Sequence, residues 1–162
     1  VIVGTGHSPE HACLYCPELK LLISGDQVLP RISSNVSIHP TEPDADPMRE
    51  WLESLAKLKR EVPDEVLVLP SHNECFYGLH ARLDYLAAAQ GRTLDRLRRT
   101  LQEPRRAIDV FAALFGRGID ESDTGLLNLA TGESLACLNH LWHRGEVNRR
   151  LDAAGVAWYR MA

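Results

Sequence analysis

The chain has 162 residues, of which 44% are hydrophobic and 25% charged, a composition typical of a globular protein that buries a core. No stretch approaches about 18 consecutive apolar residues, which argues against a membrane-spanning helix. We expect no signal peptide and a cytoplasmic protein. The net charge of −4 is uneven, since residues 1–76 carry 6 basic and 12 acidic side chains and residues 77–162 carry 12 and 10. We therefore expect two domains, 1–76 and 77–162. The basic excess of the second domain is too small to indicate nucleic-acid binding by itself.

The first part of the chain is predicted to form short strands separated by turns. Apolar runs bounded by Gly, Pro or Ser predict the strands Val1–Val3, His11–Cys16, Lys20–Ile23 and Glu65–Leu69. The last run is continuously apolar, which is typical of a strand covered on both faces. One helix lies before it, capped by Asp46 with Pro47 at its first position, and its apolar face comprises Met48, Trp51, Leu52, Leu55 and Leu58. We expect Glu53 and Lys57 to pair on its exposed side.

The second part is predicted to be mainly helical. Leucines at a helical period run from Leu79 to Leu101, with Gly91 as a weak point or break. Pro104 begins a short helix that ends at Gly116 and buries Ala107, Ile108, Phe111, Ala112 and Phe115. A further helix spans 132–143, with Leu135, Leu138, Leu141 and Trp142 on one face. The strands Val147–Leu151 and Val156–Met161 then form a hairpin, and three helices followed by a hairpin is the order of a winged helix.

Three of the predicted strands end in the same way. The strand at Val1–Val3 leads through a Gly-Thr-Gly turn to His7, the strand at Lys20–Ile23 leads to Asp26, and the strand at Glu65–Leu69 leads to His72. Functional side chains are often gathered on loops at one edge of a rigid sheet. Two imidazoles and one carboxylate suit zinc, iron or manganese. The repeated pattern therefore predicts a metal site.

These segments resemble the metal motifs of the metallo-β-lactamase superfamily. Residues 4–11 (GTGHSPEH) look like its third motif, TPGHTxGH; residues 22–26 (LISGD) look like the fourth and residues 69–72 (LPSH) the fifth. Residues 26–36 are typical of one hydrolase branch, whose winged-helix-like extension is similar to residues 133–144 and the final hairpin. The resemblance covers nearly the whole chain. It implies an α/β (α+β) fold, the second half of an αββα sandwich followed by a mainly helical winged-helix-like region.

The resemblance also implies roles for individual residues. His7 matches a ligand of the first metal, His72 matches a ligand of the second, and Asp26 matches the catalytic carboxylate that bridges the two ions. Such a pair of ions activates water near neutral pH. His11 is a candidate for supporting a ligand, with a partly exposed strand histidine as the alternative. Arg31 and His80 follow the motifs closely enough to approach a small-molecule substrate, but a surface arginine and a packed histidine are the plainer interpretations.

One family motif is missing. The HxHxDH motif normally lies upstream and supplies two ligands to each metal, and this chain contains no H-x-H. We therefore interpret the chain as a C-terminal portion of a longer hydrolase. We expect it to be inactive alone, to bind metal weakly or not at all, and to self-associate through an exposed sheet that buries Val1–Val3 and the helix of Trp51.

Two other functions are considered. Cys13 and Cys16 have CxxC spacing, but no second pair exists for a zinc knuckle and the motif lies in a predicted strand, so two reduced thiols are the simpler interpretation. The winged-helix-like region could instead make the chain a non-catalytic module that contacts nucleic acid or protein. Its helix offers Asn139, His140 and His143, and the hairpin offers Arg149 and Arg150. We regard nucleic-acid binding as the weaker interpretation and favour a metal-dependent hydrolase of esters, thioesters or phosphodiesters.

Overall fold

Four short strands form one sheet near the start of the chain. The structure is a computed structural model that describes residues 1–120 and 122–162. The strands, in spatial order, are β1 (Ile2–Gly4), β2 (His11–Cys16), β3 (Leu21–Gly25) and β4 (Leu67–Pro70). The β1–β2 and β2–β3 pairs are antiparallel, whereas β3 and β4 are parallel. β1, β3 and β4 therefore run in the same direction and end at the same edge of the sheet.

The two faces of this sheet differ in burial. The buried face carries side chains that are at most 8% exposed: Ile2, Cys13, Leu22 and Val68. On the other face Val3, Leu14 and Ile23 are 42%, 46% and 47% exposed, and Leu14 lies directly opposite Ile23. The prediction that β4 is covered on both faces is wrong, because Leu67 and Leu69 on the more open face are only half-buried.

The helix α1 (Pro47–Glu61) begins at the predicted residue, and its apolar face is buried. Ser54 Oγ accepts a hydrogen bond from the Thr5 backbone N–H at 2.8 Å, and Lys57 Nζ donates to the Val3 carbonyl at 3.0 Å. Trp51 is 1% exposed, so the expectation that its helix presents an open apolar face is wrong. The uncovered apolar surface belongs to the sheet.

A predicted ion pair on α1 is also replaced. Glu53 pairs with Arg49 at 3.3 Å, while Lys57 reaches the β1 backbone. Both pairings are compatible with helical spacing, but the nearby β1 carbonyl gives the Lys57 ammonium a tertiary acceptor that periodicity cannot reveal.

The helix α2 (Leu79–Thr100) is continuous through Gly91, so of the two alternatives predicted there, a weak point or a break, the break is wrong. The predicted apolar positions are at most 5% exposed: Leu79, Leu83, Leu86, Leu94 and Leu97. A glycine inside a helix costs about 1 kcal/mol relative to alanine. The apolar spacing on both sides of Gly91 keeps a single phase, and burial of those leucines offsets a cost of this size. Within the described residues no helix, α2 included, has the length and apolar character needed to cross a membrane.

The segment after α2 forms a 3₁₀ turn (Ala107–Val110), the short helix α3 (Phe111–Phe115), the long helix α4 (Thr124–His143) and the hairpin β5–β6 (Val147–Leu151 and Ala157–Met161). The buried side chains of the turn and α3 are Val110, Phe111 and Leu114. Ile108 and Ala112 were expected in the core and are exposed, and Ala107 and Phe115 are only half-buried. The 3₁₀ turn has three residues per turn and therefore shifts the phase of the apolar face.

α4 begins eight residues before its predicted start, at Thr124 rather than Gly132. Asp123 caps it, because its Oδ1 accepts a hydrogen bond from the Leu126 N–H at 3.0 Å. Near its end α4 is buried almost all round, with Ala136, Leu138 and Leu141 fully enclosed. A helix buried on most sides has a weak amphipathic pattern, which is why periodicity located only its last part.

The chain divides into two compact units. The first comprises residues 1–36 and 49–89, and the second comprises residues 37–48 and 90–162. α1 and α2 each begin in one unit and end in the other. This division does not coincide with the boundary expected after residue 76. The domain division 1–76 and 77–162 stays a prediction.

A charged cluster anchors the start of β5 within the second unit. Glu146 accepts hydrogen bonds from Arg98 Nε at 2.7 Å and from Arg144 Nε at 2.6 Å. The Arg98 guanidinium, followed by that of Arg144, lowers the pKa of Glu146 from 4.5 to about 2. Because the folded pKa lies below the unfolded value, the cluster stabilises the fold above pH 4.5 and loses that contribution as the pH falls toward 2.

We predict that Glu146→Gln lowers the free energy of unfolding at pH 7 by about 1–2 kcal/mol, a value reduced for partial exposure to solvent. The difference between wild type and variant should shrink steadily below pH 4.5. Urea unfolding of wild type and variant at pH 7, 4 and 3 measures this difference in the free energy of unfolding. Glu103→Gln, an exposed glutamate in the same unit, is the matched control and should have little effect. A Glu146→Gln penalty that is equal at pH 7 and pH 3 contradicts this account.

Candidate metal centre

The three predicted ligands lie together at the edge where β1, β3 and β4 end. His7 follows β1 through Gly6, which has φ +94°, and Asp26 follows Gly25, which has φ +54°. His72 follows β4 by way of Ser71. The register places Gly25 beside Pro70, and the Ser71 N–H donates to the Gly25 carbonyl at 3.1 Å. The parallel pairing of β3 and β4 thus brings Asp26 and His72 close together.

The carboxylate of Asp26 lies between the two imidazoles. His7 Nε2 is 3.8 Å from Asp26 Oδ2, and His72 Nε2 is 3.3 Å from Asp26 Oδ1. The side chains of His7 and Asp26 are 27% and 32% exposed, and that of His72 is 62% exposed. Each histidine therefore approaches a different oxygen of one carboxylate, and all three groups remain accessible from solvent.

The orientation of His7 is set by a backbone carbonyl. His7 Nδ1 lies 2.7 Å from the Asn35 carbonyl oxygen, which can only accept, so Nδ1 carries the proton. In the neutral ring Nε2 then presents its lone pair toward Asp26. A cation between two electron-rich groups that face each other stabilises their arrangement. A histidine fixed through its other nitrogen is the usual arrangement of a metal ligand.

Two hydroxyl groups hold Asp26 in place. Ser71 Oγ donates to Asp26 Oδ1 at 2.5 Å, and Ser34 Oγ donates to the Asp26 carbonyl. Ser71 lies in the turn after β4, and nothing in its spacing along the sequence indicates this contact. The pairing of β3 with β4 is what brings its hydroxyl to the carboxylate.

His11 lies beside the ligands and not among them. Its Nε2 is 3.1 Å from the Ser24 carbonyl, and its ring centre is 6.0 Å from that of His7. The ring also packs on Gly25, where an added Cβ would come within 2.8 Å of His11 Cε1. Gly25 is therefore required both by its positive φ and by the lack of room for a side chain. His11 supports the turn that carries Asp26.

The observed hydrogen bonds of Arg31 and His80 go to residues other than the three predicted ligands. Arg31 Nε donates to Glu74 Oε1 at 2.7 Å, and this pairing lowers the pKa of Glu74. His80 Nε2 lies 2.8 Å from the Val62 carbonyl, and its backbone N–H donates to Asp64. Val62 and Asp64 precede β4, so His80 lies toward the opposite end of that strand from His72. The plainer interpretations, a surface arginine and a packed histidine, describe the observed contacts.

The three ligands do not form a complete site for one ion. Across residues 1–120 and 122–162, no three His, Cys, Asp or Glu side chains are arranged so that they could hold a single metal. His7, Asp26 and His72 are not arranged around one point, because the two histidines approach different oxygens of the Asp26 carboxylate. The structure places one imidazole near each oxygen of the Asp26 carboxylate.

The cysteines offer no second site. All four are free, Cys13 is buried in β2, and Cys16 is half-buried. Burial raises the pKa of the Cys13 thiol to about 11, which disfavours the thiolate that redox chemistry or zinc binding needs.

The polar residues of α4 are used inside the second unit. Asn139 Nδ2 donates to the Pro43 and Ala45 carbonyls at 2.9 and 3.0 Å. The His140 ring is buried, with Nδ1 3.1 Å from Asp46 Oδ1, and His143 Nε2 is 2.7 Å from the Asp44 carbonyl. A helix that reads base edges must present its polar side chains to solvent. These three side chains instead anchor residues 43–46, which counts against a recognition helix.

Comparison with protein families finds a matching family model for each of the two parts of the chain. Residues 1–72 match the family model of the metallo-beta-lactamase superfamily, and residues 94–162 match that of the metallo-beta-lactamase-like C-terminal domain. A comparison with curated proteins gives no significant match.

Solved structures give the same assignment. A beta-lactamase domain protein from Burkholderia ambifaria is 40% identical with a TM-score of 0.92, and the match covers 100% of this chain and 47% of that one. A metallo-beta-lactamase family protein from Thermus thermophilus is 26% identical with a TM-score of 0.81, covering 98% of this chain and 48% of that one. The chain thus spans about half the length of these relatives. From its motifs, its fold and these matches, the chain belongs to the metallo-β-lactamase superfamily.

Proposed function

We propose that this chain is part of a metal-dependent hydrolase that acts on an ester, a thioester or a phosphodiester of a small-molecule substrate. The observation that carries the proposal is the position of Asp26, with His7 and His72 on different oxygens of its carboxylate. Membership of the superfamily supports a hydrolase in general terms. The whole protein's substrate and its cytoplasmic location stay predictions.

His7 would hold one ion, His72 would hold the other, and Asp26 would bridge them. Nitrogen and oxygen ligands of this kind suit zinc, iron or manganese. A pair of such ions, when bound, would supply activation of water near neutral pH and neutralisation of charge that develops on the substrate. The residues of this chain contribute orientation: the Asn35 carbonyl keeps the proton of His7 on Nδ1, and the Ser71 hydroxyl fixes Asp26 Oδ1.

The contacts of Asp26 show which neighbouring groups could balance the negative charge of its carboxylate. Ser71 donates a hydrogen bond to it but brings no charge, and Arg31, which could bring one, is engaged with Glu74. The nearest groups that can carry positive charge are the two imidazoles. A cation beside each oxygen would therefore supply positive charge that neither Ser71 nor Arg31 brings to this carboxylate.

We predict that Asp26→Ala removes both metal ions from the full-length protein, whereas His11→Ala leaves at least one in place. Asp26 contacts both proposed sites, while His11 acts on them only through the turn at Ser24 and Gly25. Metal content per chain, measured by plasma mass spectrometry after gel filtration, decides this. Equal loss in the two variants would show that the ligand assignment is wrong.

We predict that the 162-residue chain alone has no hydrolase activity and binds metal weakly. It offers one proposed ligand to each ion besides the bridge, so most of the coordination sphere would be left to water. Zinc titration with a chromophoric chelator as competitor measures the affinity, and chromogenic ester and phosphodiester substrates measure the activity. Tight binding of two ions, or turnover comparable to the full-length protein, contradicts the prediction.

We predict further that the isolated chain self-associates through the apolar face formed by Val3, Leu14 and Ile23. These three side chains are 42–47% exposed, and β1, which carries Val3, is an edge strand of the sheet. Light scattering should show a dimer or larger species, and the double substitution Leu14→Lys with Ile23→Lys should yield monomer. Leu151→Lys replaces a leucine that is 68% exposed on the hairpin and serves as the control. A monomeric wild-type chain, or a double variant that still associates, would overturn the assignment of this face.

A further inference from the structure

The outer face of the β5–β6 hairpin combines positive charge with an aromatic ring. The register pairs Asn148 with Arg160 and Arg150 with Trp158. Cross-strand partners share a face, and so do residues two apart along a strand, so all four side chains lie on the same side of the hairpin. The other side is the buried one and carries Tyr159, which is 1% exposed.

This outer face forms one wall of an open groove of about 430 Å³. The groove is lined by Pro104, Asn148, Arg150, Trp158, Arg160, Met161 and Ala162. Small-molecule sites typically measure about 300–1,000 Å³ and combine apolar walls with a few polar groups. The size and composition of the groove therefore suit a single small ligand.

The two arginines of the groove have no carboxylate partner among the described residues. Arg150 and Arg160 are exposed, and neither forms an ion pair with any residue in the described ranges 1–120 and 122–162. Three other arginines of the second unit are each paired with a carboxylate: Arg98 with Glu146, Arg106 with Asp109, and Arg149 with Asp44. Arg99 and Arg105 are exposed without such a pair in the described part of the chain, and neither lines the groove. The groove thus has two guanidinium groups without a protein counter-ion. Guanidinium donors suit phosphate oxygens in geometry and charge.

The ring of Trp158 is held in position before any ligand arrives. Its Nε1 donates to Asp152 Oδ2 at 2.9 Å, and the guanidinium carbon of Arg106 lies 5.4 Å from the ring centre. Asp152 is itself fixed by the turn, since its Oδ1 accepts from the Ala154 and Val156 N–H groups. Stacking a planar ligand on a side chain that is already ordered costs little conformational entropy.

From these observations we propose that the hairpin groove is a binding site for a nucleoside 5′-phosphate. The phosphate lies between Arg150 and Arg160, with Asn148 as an additional donor, and the base packs against Trp158 and Met161. The proposal rests on the second unit alone and does not depend on the hydrolase function. A nucleic-acid strand is the weaker occupant, because typical protein–DNA interfaces engage about 6–10 phosphates, whereas the groove has two unpaired arginines.

Equilibrium binding of adenosine 5′-monophosphate to the purified chain, measured by calorimetry with a chelator present, tests this proposal. We expect a dissociation constant below about 1 mM, and binding at least about tenfold weaker for adenosine or inorganic phosphate alone, since each provides one half of the contacts. The double substitution Arg150→Gln with Arg160→Gln should weaken binding of the nucleotide by at least about tenfold. Trp158→Leu should weaken nucleotide binding while leaving inorganic phosphate unaffected.

The matched control is Arg99→Gln, which removes the same charge from an exposed arginine that does not line the groove. It should change the affinity less than about twofold. Circular dichroism of each variant confirms that the hairpin folds. The proposal is overturned if the nucleotide fails to bind, if Arg99→Gln weakens binding as much as the double substitution does, or if only a single-stranded oligonucleotide binds.

Discussion

The parallel pairing of β3 with β4 is the constraint on which the candidate site depends. It sets Gly25 beside Pro70, so that the residues that follow, Asp26 and His72, leave the sheet at one edge. The antiparallel β1–β2–β3 arrangement makes β1 run in the same direction, and His7 joins them. A one-residue slip of β3 against β4 would turn the side chains of the shifted strand to the other face of the sheet. It would also break two hydrogen bonds of Ser71, from its N–H to the Gly25 carbonyl and from its hydroxyl to Asp26. The chemistry of the site is therefore a consequence of strand register.

The polar groups of the second unit have a different use. Asn139, His140 and His143 of α4 could have been interpreted as recognition groups, but their hydrogen bonds go to the segment 43–46. Buried polar groups are usually hydrogen-bonded, and here the Asn139 amide nitrogen donates to backbone carbonyls of an irregular segment, while the His140 ring faces the Asp46 carboxylate. Among the described residues of this unit, the cationic surface that stands out is the outer face of the hairpin, where Arg150 and Arg160 lack carboxylate partners.

Much of the fold could be predicted from the sequence because local signals and tertiary structure agree. The strands, α1 and the hairpin follow from apolar runs and turn residues. The repeated pattern of a strand followed by a tight turn singled out His7, Asp26 and His72, which the structure places close together, and their role as metal ligands stays a prediction. Contacts that depend on tertiary placement could not be predicted. Lys57 donates to the Val3 carbonyl instead of pairing with Glu53. The Ser71 hydroxyl donates to Asp26, and the His80 ring contacts the Val62 carbonyl before the start of β4. The start of α4 was missed because a helix buried on most sides lacks the periodicity on which sequence analysis relies.

The central claim is that Asp26 bridges two ions, with His7 on one and His72 on the other. A crystal structure of the metal-loaded full-length protein, with the metals located by anomalous scattering, tests it most directly. The account predicts two peaks about 3.5–4 Å apart, one within bonding distance of His7 Nε2 and the other of His72 Nε2, each contacting one oxygen of Asp26. A single ion bound by both histidines, or two ions with Asp26 bound to neither, would contradict it.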